Sequence, residues 1–424
     1  MRIVFAGILI IVLATYALPQ DDQGPGASPE RQAPAPAIGP DASLSGLLRP
    51  SVRASELGTI NGGNNSASSS FSGDLAYNHI SSSREFTMKY SGGALINTSN
   101  HSDDSIYQTI DIRERFSARR WTFAFGDSLS YLPQSPVGSG AGIPGLGDYA
   151  PALNLSTGAF NPTLLPDESI LTFDTPRIRN SADGEVSYNF TRFTSVTGAF
   201  SYGLLRYLDN DALNTHQIMV TAGVDHQVKR SSFDLKYSYM HLDYDVANEG
   251  FDTQAFELGY KRQISPSLKA ELSFGPEFVH SYGLSYPNSI IAAGSASLNY
   301  ARNSNSATLR YIRNVNGGAG LLQGAITDTV QFSGGHTYRR WNLTGFASYS
   351  SSSELTQNHK VISRTVGTQV SHPTTRNSSA YFSYTYMAQS SGTLCNANVC
   401  AFDGGEHVFG IGLEWHPRGV QLGR

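Results

Sequence analysis

The sequence predicts an all-β protein, a transmembrane antiparallel up-and-down β-barrel of about eighteen strands (16–18). Three observations predict it. An apolar–polar alternation of period two keeps returning, as in Phe233-Asp234-Leu235-Lys236-Tyr237-Ser238-Tyr239, Leu268-Lys269-Ala270-Glu271-Leu272-Ser273-Phe274 and Ala380-Tyr381-Phe382-Ser383-Tyr384-Thr385-Tyr386. A strand points successive side chains to opposite faces, so each run reads as a strand with one apolar and one wet face. The runs stand behind an export signal, and the connections between them alternate short and long.

Composition fits this class. Charged residues make up 15% of the chain, below the roughly 25% of a soluble domain. Mean hydropathy is −0.25, too polar for a helical membrane protein. A barrel reconciles the two, because only half of each strand faces lipid. The 22 Tyr and 21 Phe supply aromatic girdles, and a net charge of −4 with no strong basic run gives no case for nucleic acid.

Residues 1–17 read as a signal peptide: Arg2, an apolar stretch over 3–13, and Thr15-Tyr16-Ala17 at the cleavage site. The apolar stretch falls short of the ~20 residues that span a bilayer. Residues 18–50 carry Pro19, Pro25, Pro29, Pro34, Pro36 and Pro40 among polar and small residues and read as a disordered periplasmic tether. The barrel is expected over 51–424.

Strands are expected at 51–60, 71–80, 84–94, 105–117 and 120–131. After a long connection they resume at 181–191, 193–207, 213–228, 231–245, 252–264, 267–280 and 288–302. The last six fall at 305–315, 323–338, 340–351, 358–371, 377–389 and 405–416. The first has the weakest alternation. It is retained because an even count returns both termini to one side, here the periplasm. Short connections include Lys229-Arg230-Ser231, Ser265-Pro266-Ser267, Asn303-Ser304 and Arg339-Arg340, and longer ones 208–213, 246–251, 281–288, 351–356 and 390–406. Outer-membrane barrels keep short turns in the periplasm and long loops outside.

The alternation assigns faces. Lipid is expected to meet Phe86, Met88, Tyr90, Trp121, Phe123, Phe125, Phe200, Tyr202, Phe256, Leu258, Tyr260, Trp341 and Leu343. The lumen is expected to be lined by Glu85, Lys89, Asp111, Arg113, Arg115, Glu185, Asp234, Lys236, Glu257, Lys261, Lys269, Glu271 and Arg310. A one-residue slip would exchange the two sets. Both signs of charge mix in the second set, which points to a wet, weakly selective interior.

Residues 132–180 form the longest connection, rich in Pro and Gly, with apolar patches at Leu164-Leu165 and Ile170-Leu171. Loops this long are usually functional or disordered. Folding into the barrel to narrow a pore and lying across the outer mouth are both consistent with it. Within it, Gly140-Ala141-Gly142-Ile143-Pro144-Gly145 matches a dinucleotide-binding spacing, but Pro144 falls where the helix should begin and no strand–turn–helix unit surrounds it. It reads as a turn. His216, His226 and His241, with Asp225 and Asp243 nearby, lie in or beside strands. No local motif joins them to a nucleophile, so the reading is a non-enzyme with no catalytic residue, cofactor or metal.

Cys395 and Cys400 are the only cysteines. An even pair close together in an exported chain favours a disulfide closing a loop tip. The last strand carries Phe409, Ile411, Leu413 and Trp415 at alternate positions. It is similar to the final-strand signal by which barrels are recognised for assembly, although nine residues follow Trp415.

Asp127-Ser128-Leu129-Ser130-Tyr131-Leu132-Pro133, Gly145-Leu146-Gly147, the cysteine loop and the segment 409–415 together resemble uncharacterised outer-membrane β-barrel proteins common in Acidobacteria. More distantly, the chain is similar to β-barrel porins found near polysaccharide-export genes. The resemblance implies a signal peptide, a barrel, an outer-membrane location and contact with lipid and the assembly machinery, and it carries no site residues. The expected function is passive diffusion of small hydrophilic solutes or saccharides. A surface scaffold that binds partners through its loops, or a polysaccharide-export barrel, is the alternative.

Overall fold

A computed structural model describes residues 46–421 apart from 62–63, 99–103, 133–175, 209–213, 246–248, 284–287, 319–320, 323, 356–358, 393, 397–398 and 402. The expected signal peptide, most of the tether, the glycine run at 140–145 and the apolar patches of the long connection lie outside the described residues.

Strands β1 (Leu47–Asn61), β2 (Asn64–Ile80), β3 (Arg84–Asn97), β4 (Ser105–Ala118), β5 (Trp121–Leu132) and β6 (Arg177–Asn189) open the sheet. They are followed by β7 (Thr194–Tyr207), β8 (Thr215–Val228), β9 (Ser231–Tyr244), β10 (Glu249–Ser265), β11 (Leu268–Tyr282) and β12 (Ser289–Arg302). Then come β13 (Asn305–Asn316), β14 (Ala325–Tyr338), β15 (Trp341–Glu354), β16 (Lys360–Pro373) and β17 (Ser378–Ser390). The short β18 (Cys395–Asn396) and β19 (Val399–Cys400) form a separate hairpin. β20 (Gly404–Trp415) returns to the main sheet, and β21 (Val420–Gln421) follows it. Each strand from β1 to β17 pairs antiparallel with the next, β17 pairs with β20, and β20 pairs with β1 from Val52↔Trp415 to Asn61↔Glu406. Eighteen strands, β1–β17 and β20, thus close into an up-and-down barrel. Closure removes the exposed edges that an open sheet would present.

Several boundaries differ from the sequence-based expectation. β1 begins at Leu47 instead of 51 and β2 at Asn64 instead of 71. Over 64–72 the chain is mostly Ser, Ala and Asn, so little apolar alternation marks a strand that its neighbours' backbone groups recruit all the same. β6 begins at Arg177 and β14 at Ala325, so the long connection is shorter than 132–180 and Gly324 belongs to a loop.

The connections at one end are all short, and the longest ones gather at the other. At one end, the turn end, they span 81–83, 119–120, 190–193, 229–230, 266–267, 303–304, 339–340 and 374–377. At the other, the loop end, they include 98–104, 133–176, 317–324 and 391–403. β1 starts and β20 finishes at the turn end. Arg119, Lys229, Asn303 and Arg339 each open a two-residue turn at φ 50° to 54°, a sign of φ that matches hairpin twist.

On the outer face, Phe125, Phe200, Phe256, Leu258, Leu272, Phe274 and Ile411 are exposed on strands spread around the barrel. Such an apolar belt suits hydrocarbon and not water. The chain's three tryptophans, Trp121, Trp341 and Trp415, are all exposed at the turn end. Trp121 packs on Tyr188 and Trp341 on His372, with ring centroids 4.6 and 4.5 Å apart. Asp127 interrupts the belt: it shares the outer face with Phe125 and Leu129, and its Oδ1 accepts a hydrogen bond of 2.8 Å from Asn180 Nδ2.

Candidate functional site: the lumen and its sealed mouth

The period-two side-chain geometry builds the inner face. On β9, Leu235 is 58% exposed while its neighbour Asp234 is 4% exposed. The charged residues singled out in the sequence lie on this inner face, mostly in the half nearer the turn end. Lys89 stands opposite Asp111 across β3 and β4, Arg113 lies 3.3 Å from Asp111, and Arg115 lies 3.9 Å from Glu85. Glu185 on β6 stands opposite Ala124. On β9 and β10, Lys236 and Lys261 approach Asp234 to 3.3 and 3.6 Å, and Glu257 stands opposite Lys236. A Cβ on Gly259 would lie 2.3 Å from both Asp234 carboxylate oxygens, so only glycine leaves room for that carboxylate. Lys269 pairs with Glu271 at 2.6 Å, and Arg310 stands between Ser297 and Gln331.

Sequence reasoning missed further polar residues of this face. Arg53 on β1 bonds Glu414 on β20 at 2.9 Å and Asp74 on β2 at 3.3 Å, across the seam where the barrel closes. Arg177 and Arg179 on β6 are buried, as are Glu277 on β11 and Glu406 on β20. Their strands alternate too weakly near the loop end to assign a face. From β14 to β17 the inner face changes character. It presents Thr329, Gln331 and Ser333, then Ser348 and Ser350, then Thr365 and Gln369, then Ser383 and Thr385. One wall is therefore mixed-charge and the other hydroxyl and amide.

The half nearer the loop end is filled. Leu205 and Tyr207 of β7, Leu321 and Leu322 of loop 317–324, Ala325 of β14, Val361 of β16, and Leu394 and Ala401 beside the cysteine hairpin form one buried apolar cluster. A second cluster joins Met240, Leu242 and Tyr244 of β9 to Phe251, Val279, Val315 and Leu355. Loop 317–324 is pinned between them. Tyr244 Oη donates to the carbonyls of Gly317 and Leu322 at 3.1 and 3.3 Å, and the Leu355 amide donates to Gly324 O at 3.0 Å. Gly318 adopts φ +59° and Gly324 φ +82°, a left-handed conformation that turns the loop inward. Pairing of β12 with β13 runs only from Arg302↔Asn305 to Gly294↔Arg313, and beyond it the Val315 amide donates to Glu277 Oε2 at 3.3 Å. Cys395 and Cys400 are joined in a disulfide that closes the hairpin beside Leu394 and Ala401, where the Ala401 amide donates to Leu394 O at 2.9 Å.

The histidines do not line the lumen. His216 and His241 stand on the outer face near the loop end, each with its Nε2 3.0 Å from Asp243 Oδ2. The other nitrogen of His241 meets Asp252 at 2.6 Å, that of His216 meets Asp245 at 3.3 Å, and Tyr282 bonds Asp243. His226 bonds Thr194 at 2.9 Å, and Asp225 bonds Ser232. His216 and His241 are carboxylate-bound imidazoles on the outer face, and among the described residues no His, Cys, Asp and Glu group is arranged to hold a metal ion.

No family model matches the chain, and no curated protein does. Among solved structures it is similar to Pseudomonas aeruginosa OccK2 (OpdF) in complex with glucuronate, at 9% identity and a TM-score of 0.42 over 87% of this chain and 98% of that one. It is also similar to Acinetobacter baumannii OccAB3, at 8% identity and 0.40 over 88% and 99%. A BenF-like porin from Pseudomonas fluorescens Pf-5 gives 9% identity and 0.40 over 87% and 99%. At these values the fold stands on its own strand pairing.

Proposed function

We propose that the protein is a channel of the bacterial outer membrane for passive diffusion of small hydrophilic solutes or saccharides. The observation that carries this reading is the two-walled lumen. Mixed charges on β3–β13 face a wall of hydroxyls and amides on β14–β17. A barrel of eighteen strands is too wide to be filled by its own wall side chains, and such walls hydrogen-bond polyols at little desolvation cost. On this reading Glu85, Lys89, Asp111, Arg113, Arg115, Asp234, Lys236, Glu257, Lys261, Lys269, Glu271 and Arg310 contact permeating solute and water. The turn end and both chain ends face the periplasm, following the short-turn rule of such barrels. Its kinship is placed with the acidobacterial-type barrels on the motifs named above. The apolar seal makes the loop end the resistance to flow.

The test compares the full chain with a chain shortened at 318–323 in planar bilayers, together with liposome swelling in sized sugars. Stepwise conductance that rises in the shortened chain supports the reading. Absence of steps in both favours a second reading, a surface scaffold binding partners through its loops, which the filled mouth and the stapled hairpin recommend.

A further inference from the structure

The chain carries a net charge of −4, yet five of the eight turns at its turn end carry basic residues. Three of the two-residue turns are Arg119-Arg120, Lys229-Arg230 and Arg339-Arg340, and the four-residue turns contain Arg192 and Arg376. None of the eight turns contains Asp or Glu, and all of these basic residues are exposed. Like charges repel each other, and counter-charge from outside the chain relieves that repulsion.

A concavity lies among these turns. Arg120 from one turn and Asn189, Phe190, Thr191 and Arg192 from the neighbouring one line a hollow of about 360 Å³. The two turns are held together by the Asn189 amide, which donates to Arg120 O at 2.8 Å. Arg192 lies over the Phe193 ring at 4.9 Å. Beside the hollow, on the outer face, runs an aromatic stack: Trp121 on Tyr188 at 4.6 Å and Tyr188 edge-on to Phe190 at 4.9 Å. Trp121 and Phe190 are exposed. The hollow therefore offers two guanidiniums and the Asn and Thr polar groups at the level where the aromatic girdle begins, and an apolar ramp leads from it along the outer wall.

We propose that this hollow binds the phosphate headgroup of an anionic phospholipid from the leaflet that meets the turn end. Guanidinium forks match phosphate oxygens in bidentate fashion, and the acyl chains lie against Trp121, Tyr188 and Phe190. Charge complementarity selects the occupant. A zwitterionic lipid brings a cation with its phosphate and does not neutralise the basic turns, whereas a free anion gains nothing from the aromatic ramp. The site requires the barrel to sit in a bilayer and is independent of whether the lumen conducts.

The experiment is native mass spectrometry of the full chain released from mixed micelles of phosphatidylglycerol and phosphatidylcholine. Phosphatidylglycerol is expected to be retained preferentially, and the double variant Arg120→Gln/Arg192→Gln to lose most of that retention, by about tenfold for two lost charge-assisted contacts. Arg339→Gln/Arg340→Gln, which removes as much charge from a turn that does not line this hollow, is expected to keep it. Equal retention of both lipids overturns the site. Equal loss in the two double variants replaces the hollow with a diffuse charged rim and also overturns it. Displacement by millimolar inorganic phosphate overturns the lipid as occupant. All four substitutions are on exposed turn residues, so the barrel stays folded in each arm.

Discussion

Leu205 of β7 and Val361 of β16 belong to one buried apolar cluster, although their strands stand on opposite walls of the eighteen-strand barrel. Leu321, Leu322, Leu394 and Ala401 bridge between them. The seal is thus built from two loops, and Tyr244 holds the first of them by donating to two of its carbonyls.

Tyr244→Phe keeps the ring in its cluster and deletes the hydroxyl. Gly317 O loses the Tyr244 hydroxyl, while Leu322 O keeps the Gly324 amide, at a cost of about 1–3 kcal/mol. Loop 317–324 is expected to loosen while the barrel stays closed. Amide hydrogen exchange checks this. Protection should fall at Leu321 and Leu322 and stay unchanged in β2 and β3. Uniform loss would mean that Tyr244 supports the whole wall.

Arg53 is the polar clasp of the closing seam. It bonds Glu414 on the last strand and Asp74 on the second, and all three side chains are partly buried. Arg53→Met leaves two carboxylates facing each other without a cation. A loss of about 1–3 kcal/mol is expected, smaller than for a fully buried pair because water still screens the site. Urea unfolding in lipid vesicles measures it. The triple variant Arg53→Met/Asp74→Asn/Glu414→Gln should recover part of the loss. A triple variant no better than the single one would place the effect in packing.

The faces of the strands were legible because the physics is local. Leu235 and Asp234 differ by one position, and pleating alone leaves the first 58% exposed on the outer face and the second 4% exposed on the inner one. The seal was not legible. The alternation puts the start of β14 at 323, and no local pattern marks Leu321-Leu322 as part of a seal. Their role depends on Tyr244 and Leu205, which lie 77 or more positions away. No local pattern records such a contact. The polar clasp has the same cause, since Arg53 and Glu414 meet only through closure. The cysteine hairpin was legible because its partners are five positions apart.

The C-terminal strand separates assembly from the tail that follows it. Trp415 is exposed on the outer face and stands opposite Val52 and Ser378. β21 then adds two pairs with β1, Leu47↔Gln421 and Leu48↔Val420. If Phe409, Ile411, Leu413 and Trp415 form the recognition signal, Trp415→Ala should lower outer-membrane yield, and removal of 416–424 should not. Fractionation with heat-modified gel migration checks both. Normal yield of Trp415→Ala would count against the signal.

Asp127 interrupts the apolar belt, and its bond to Asn180 partly compensates the interruption. A lipid-facing carboxylate costs less than the about 2–4 kcal/mol of a mid-depth Lys or Arg, but it still costs. Asp127→Leu removes that charge and leaves the Asn180 amide with only a 3.4 Å contact to Ser128 O. The single variant should therefore be close to neutral. Asp127→Leu/Asn180→Leu removes both polar groups together, and replacing a pair by apolar groups is neutral or stabilising. A gain of about 1–2 kcal/mol in urea unfolding is expected for the double variant. If the double variant instead loses stability in vesicles that contain the chain at high density and not in dilute ones, the carboxylate is meeting a second chain, and the break in the belt is an interface.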